Sequence, residues 1–150
     1  MSLERRFLAS AADTEALGAA VARALRSGDA VLLWGPLGVG KTTLARGLIR
    51  ALTRPDQEAP SPTFTLVQTY DAPGMQLSHM DLYRLSGLEE TWELGLEEAL
   101  DDGAVVIEWP ERLEGRLPPD RLDIRLRIEA EGRLAEIERH GRWKDRPIEF

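Results

Sequence analysis

The chain has 150 residues, 43% of them hydrophobic, and 26 acidic against 19 basic side chains, for a net charge of −7 and a pI near 4.9. Its length suits a single domain across residues 1–150, and its acid excess argues against a general nucleic-acid-binding face. There is no cysteine, which excludes a disulfide framework, a thiolate zinc site and a thiol nucleophile and suits a reducing compartment. No apolar run approaches the ~20 residues of a membrane span, so a soluble, cytoplasmic protein with no membrane partner is expected.

In chain order, Asp13 is placed to cap a helix through "TEALGAAVARALRSG", with Leu17, Val21 and Leu25 at helical spacing and Gly28 as its stop. "AVLLW" (30–34) is an unalternated apolar run, as expected for a strand buried on both faces. A second helix follows over 41–53, with Leu44, Leu48 and Leu52 along one side. After the turn-rich "RPDQEAPSP", "TFTLVQTY" and "MQLSHMDLYRL" flank "DAPG" and read as a β-hairpin. Short helices are predicted within 87–102, then a second buried strand, "AVVIEW" (104–109). Two alternating charged strands, "RLDIRLRIEA" and "RLAEIERHG", close the chain as a C-terminal β-hairpin. The alternation of strands and helices predicts an α/β, three-layer P-loop domain with a mixed central sheet.

The chemistry concentrates at residues 35–42, "GPLGVGKT", which satisfy G-x-x-x-x-G-K-[ST] between an apolar strand and a helix. Glycines at 35, 38 and 40 let the backbone curl without side chains in the way. The N–H groups of Leu37, Gly38, Val39, Gly40, Lys41, Thr42 and Thr43 then face a bound polyphosphate, helped by the partial positive charge of the helix N-terminus. The chain has 17 arginines and only two lysines, yet position 41 is Lys. A compact ammonium reaches the β- and γ-phosphates where a planar guanidinium does not fit. The hydroxyl of Thr42 is placed to ligate Mg²⁺.

Such a loop needs an acid from a neighbouring strand to complete the metal shell. Glu108, ending "VVIE", is the stronger candidate; Asp81, ending "MQLSHMD", is the other, and a turn-capping role competes for it. Thr63 of "SPTFT" lies where nucleotide-sensing loops occur, though an ordinary strand entry explains it equally. "DAPG" mimics the D-x-x-G of GTPases, but it sits in a hairpin tip and the chain has no N-K-x-D, so it reads as a turn. His79 and His140 lack an acid or serine partner at metal or triad spacing and read as structural or exposed. Seven carboxylates between Glu89 and Asp102, with no Lys or Arg among them, read as a solvated helix face; a docking surface for a basic partner is the alternative.

Taken together, "GPLGVGKTT", "SPTFTLVQTY", "HMDLYRL" and "IEWPE" resemble the bacterial YjeE/TsaE family, the small ATPase of tRNA threonylcarbamoyladenosine (t6A) biosynthesis. The resemblance implies an ATP/ADP- and Mg²⁺-binding ATPase that works beside TsaD and TsaB, meets tRNA only through that complex, and uses hydrolysis to reset it. It makes Lys41 and Thr42 the phosphate and metal groups, Asp81 a functional acid, Glu108 a metal-shell or water-positioning acid, and Thr63 a switch-like residue. Trp109 would pack beside the site or against a partner. Pro36 replaces an acid frequent in the family, and adenine contacts from the closing hairpin, such as Arg133, lie where the family varies most. Two other readings use the same loop: a small-molecule kinase, and an interaction protein that binds nucleotide without turnover, for which Trp92, Trp109 and Trp143 are candidate exposed anchors.

Overall fold

The computed structural model describes residues 3–149. In chain order these form β1 (Leu3–Leu8), α1 (Ala11–Ala24), β2 (Ala30–Trp34), α2 (Lys41–Leu52), β3 (Val67–Ala72), β4 (Met75–Asp81), α3 (Leu88–Glu93), α4 (Leu96–Asp102), β5 (Gly103–Glu108), β6 (Arg121–Glu129) and β7 (Gly132–Arg139). Short 3₁₀ turns occupy Pro110–Leu113 and Gly141–Asp145. The strands build one mixed seven-stranded sheet in the order β1-β7-β6-β2-β5-β4-β3. β2 runs parallel to both β5 and β6, and β4 runs parallel to β5. The outer pairs β3–β4, β6–β7 and β1–β7 are antiparallel.

Central parallel strands are covered on both faces, which is why β2 and β5 lack polar alternation. Val31 and Leu33 of β2 join Val106 of β5 beneath α1 and α2, packing with Leu17, Val21, Leu44 and Leu48. Ala30 and Leu32 point the other way, with Val105, Ile107, Leu82 and Leu113, under α4 and the 110–113 turn. The predicted α/β architecture, with the β6–β7 hairpin near its C-terminus, is thus the observed one.

Several local expectations are corrected. The cap of α1 is Ser10, whose hydroxyl accepts from the Asp13 N–H at 3.2 Å, while the Asp13 carboxylate accepts from the Ala9 N–H at 3.0 Å. The helix ends at Ala24, before Gly28, because Leu25 turns extended and buries its side chain in the core. The third strand begins at Val67 rather than Thr63, since Leu66 takes a left-handed backbone (φ 70°) that no strand continues. The hairpin tip is narrower than "DAPG": Ala72 pairs with Met75 across Pro73 and Gly74. β1 was not expected at all. Only Leu8 of its six residues is buried, so it forms by completing the ladder of β7 rather than by covering core.

α1 and α2 touch backbone to backbone. A β-carbon on Gly47 would lie 2.2 Å from the Glu15 carbonyl oxygen, and one on Gly18 would lie 2.1 Å from that of Leu44. The two glycines therefore set the depth at which α2, and with it Lys41, sits against the sheet. Gly47→Ala is expected to force the helices apart at a cost of about 1–3 kcal/mol, despite alanine's higher helix propensity. Urea unfolding checks this, and an unchanged midpoint would contradict the close packing.

Candidate functional site

The loop between β2 and α2 curls as its glycines require. Gly35, Gly38 and Gly40 all have positive φ (144°, 78° and 118°). A β-carbon on Gly38 would meet nothing within 4 Å, so this glycine serves conformation and open space rather than packing. α2 starts at Lys41 with no side-chain cap from Gly40, leaving its first amides available to an anion. The Val39 side chain is buried, while Leu37 projects outward with 76% of its surface exposed.

The acids arrive from the neighbouring strands. The parallel register sets Asp81 of β4 opposite Glu108 of β5, and Glu108 opposite Leu33 of β2. Both carboxylates thus stand at the C-terminal edge of the parallel strands, beside the start of α2, where open α/β sheets place their ligands. The Thr42 hydroxyl donates to Glu108, 3.0 Å from Oε1 and 3.1 Å from Oε2. The Asp81 carboxylate is divided: Oδ1 accepts from the Tyr83 N–H at 2.9 Å and Oδ2 from the Thr63 hydroxyl at 3.0 Å. Asp81 thus caps a turn and also anchors the 61–66 segment, where the Ser61 and Thr63 hydroxyls are 2.7 Å apart.

Lys41 is almost buried, at 4% exposure. Its Nζ donates to the Gly35 carbonyl at 2.5 Å and stands 3.2 Å from the Trp109 ring centroid. Among the described residues no carboxylate lies within ion-pair distance of it. Trp109 holds a left-handed backbone (φ 61°) and packs on Tyr83, the rings 4.7 Å apart. Burial lowers the Lys41 pKa below its ordinary 10.5, and the more distant charges of Glu108, Glu111 and Asp81 oppose this without overcoming it.

Two clefts flank the loop. One, of about 280 Å³, is lined by Lys41, Thr42, Thr63, Asp81, Glu108 and Trp109 among others, and no arginine lines it among the described residues. The other, of about 260 Å³, lies behind the loop between Ser10, Thr14 and Arg133 and shares Gly38, Gly40 and Thr43 with the first. Arg133 donates from Nε to the Val39 carbonyl at 2.9 Å, so the closing hairpin braces the loop. The residues put forward for phosphate, metal and catalysis lie in the loop or on the walls of the first cleft, whereas Arg133 lines the second. The donor set of Thr42, Asp81 and Glu108 is all oxygen, as a hard cation such as Mg²⁺ requires.

His79 was missed. It is fully buried, and its Nε2 lies 2.7 Å from Oε2 of Glu108, so the expectation that it has no acid partner is wrong. Spacing along the chain hides this contact, because the acid comes from the adjacent strand; the signal was His79 standing two residues before Asp81, on the same face of β4. His140 does lie near acids, 3.1 Å from Asp123 and 3.3 Å from Glu138, but on the β6–β7 hairpin. Of the candidate anchors, Trp92 is 55% exposed whereas Trp143 is wholly buried. The seven carboxylates from Glu89 to Asp102 are all exposed, as a solvated face requires.

The Lys41 shift has a pH signature. The folded chain releases this proton at lower pH than the unfolded chain, so between the two values the unfolded state holds more protons and stability rises with pH. As pH rises from neutrality towards 10.5, the urea midpoint of the wild type is expected to gain on that of Lys41→Met. A constant or shrinking difference would contradict a depressed Lys41.

Residues 8–137 match the sequence model of the family described as threonylcarbamoyl adenosine biosynthesis protein TsaE. The chain is 41% identical over 121 residues to the Rickettsia bellii tRNA threonylcarbamoyladenosine biosynthesis protein TsaE, covering 81% of this chain and 84% of that one. It is 44% identical over 128 residues to the Streptomyces coelicolor protein of the same name (83% and 84%) and 42% identical over 124 residues to that of Treponema pallidum (82% and 90%). The crystal structure of Bacillus subtilis YdiB superposes with a TM-score of 0.77 at 28% identity, over 93% of this chain and 87% of that one. With a family match over most of its length and relatives above 40% identity, the chain belongs to the TsaE family of threonylcarbamoyl adenosine biosynthesis proteins.

Proposed function

We propose that the chain is a Mg²⁺-dependent P-loop ATPase that acts as a conformational switch in t6A modification of tRNA, together with TsaD and TsaB. The observation that carries this reading is the join at the start of α2: Lys41 and Thr42 emerge side by side from the glycine loop, and Thr42 is bonded to Glu108. The names of the relatives support the pathway, and the exposed acidic surface supports contact with tRNA through partners rather than directly.

In this reading the loop amides and Lys41 hold the β- and γ-phosphates in the first cleft, and the nucleoside lies in the second, between Ser10 and Arg133. Thr42 gives its hydroxyl proton to Glu108 and so keeps its lone pairs for a cation. Mg²⁺ held by Thr42, Glu108 and Asp81 would supply charge neutralisation at the phosphates. Glu108 and Asp81 share the metal-holding and water-orienting roles. Thr63, tied to Asp81, reports occupancy of the cleft to the 61–66 segment. Phosphoryl transfer needs positive charge at the γ-phosphate. Among the described residues Lys41 is the only basic one lining the cleft, so a partner completes the site and the isolated chain is slow.

Phosphate release from MgATP, by the chain alone and with TsaD plus TsaB, tests this with Lys41→Ala as the blank. Stimulation by the pair that is absent in the blank is the expected result. Glu108→Gln is expected to lower turnover by at least about 100-fold while ATP stays bound in equilibrium dialysis. Binding without turnover in every mixture would overturn the ATPase reading in favour of a nucleotide-dependent interaction protein.

A further inference from the structure

His79 takes no part in the scheme above, yet it is wholly buried and hydrogen-bonded to the acid at its centre. It precedes Asp81 by two residues, so the period of the strand turns both to the face that carries α2. Its Nε2 meets Oε2 of Glu108 at 2.7 Å, and its Nδ1 is buried with no hydrogen-bond partner. An ionised carboxylate has no proton to give, so the nitrogen facing it must be the donor. The Nε2–H tautomer meets this condition and leaves only a lone pair unmatched at Nδ1. The other tautomer would set two acceptors 2.7 Å apart and leave a buried N–H with no acceptor, at the desolvation cost of an orphaned donor.

We propose that His79, as the Nε2–H tautomer, is the positioning residue of Glu108. The Thr42 hydroxyl is nearly equidistant from the two Glu108 oxygens, at 3.0 and 3.1 Å, and does not by itself choose an orientation. His79 does: by holding Oε2 it fixes the carboxylate plane and leaves Oε1 to Thr42 and the cleft. Hydrogen bonds of this kind to metal-holding or water-orienting carboxylates set their geometry and basicity. A purely structural role accounts poorly for a half-satisfied imidazole, because an apolar side chain of similar size would fill the space without burying an unmatched nitrogen. The inference rests on the ATPase reading for its consequence but not for the contact itself.

Two variants separate the roles. His79→Gln keeps an N–H at the reach of Nε2, and His79→Met fills the volume without a donor. His79→Met is expected to lower kcat for MgATP by about 10–100-fold while changing KM less than about threefold, with thermal stability at or above that of the wild type; His79→Gln is expected to recover most of the loss. A Met variant as active as the wild type, or a Gln variant as impaired as Met, would overturn the proposal. Long-range ¹H–¹⁵N NMR of the free wild-type protein gives a readout independent of activity. The Nε2–H pattern for His79 is expected, and the Nδ1–H pattern or an imidazolium would overturn the assignment even if the Met variant failed to fold. A wild-type chain that hydrolyses no MgATP would overturn the ATPase reading, whereas the tautomer still decides the His79–Glu108 contact.

Discussion

Three parallel strands end together, with Asp81 opposite Glu108 and Glu108 opposite Leu33. A slip of one residue between β2 and β5 would turn Glu108 to the opposite face of the sheet and leave Thr42 with an apolar neighbour, and one between β4 and β5 would take Asp81 away from Thr63. The rest of the architecture serves that register. Parallel strands need covering helices on both faces, and one face is covered by α1 together with α2, whose first turn carries Lys41 and Thr42. The glycine contacts at 18 and 47 then fix how closely that turn approaches the acids. Loop, helix and carboxylates are three consequences of one alignment.

The site itself opposes stability. A buried ammonium sits against a carbonyl and an indole face instead of a carboxylate, and a buried imidazole keeps one nitrogen unmatched. Trp109 holds a left-handed backbone, a conformation that costs of order 1–3 kcal/mol and persists only where its surroundings enforce it. An anion delivered to Lys41 would relieve the first of these costs. Partners that are adequate but replaceable are what a binding cation needs, since a strong internal ion pair would compete with the ligand.

What could be read from the residues follows the locality of each signal. The strand at 30–34, the loop, Lys41, Thr42 and the strand-end placement of Glu108 are written within short windows, where periodicity and glycine spacing act directly. Asp81 was legible only in part, because a strand-end acid and a turn cap look alike in one dimension, and here the residue is also a turn cap. β1 was invisible: "LERRFL" gains its structure from the edge of β7, about 130 residues away, and has no pattern of its own. The contact of His79 with Glu108 was hidden for the same reason, since it crosses from one strand to its neighbour. Ser10 rather than Asp13 as helix cap was decided by local geometry that both residues could have met, and Asp13 entered the cap in the reciprocal role.

The pairing of β1 with β7 has a further consequence for how the molecule is made. During synthesis Leu3–Leu8 must wait without a partner until Gly132–Arg139 has been translated, and contacts this distant in sequence form late because closing the chain is costly in entropy. The cleft behind the glycine loop is built from these two ends, Leu8 to Ser10 on one side and Gly132 with Arg133 on the other. It therefore does not exist in a nascent or truncated chain. A fragment stopping short of residue 132 can contain the whole of "GPLGVGKT" and both acids yet lack the far wall of the second cleft, which belongs to the finished polypeptide alone.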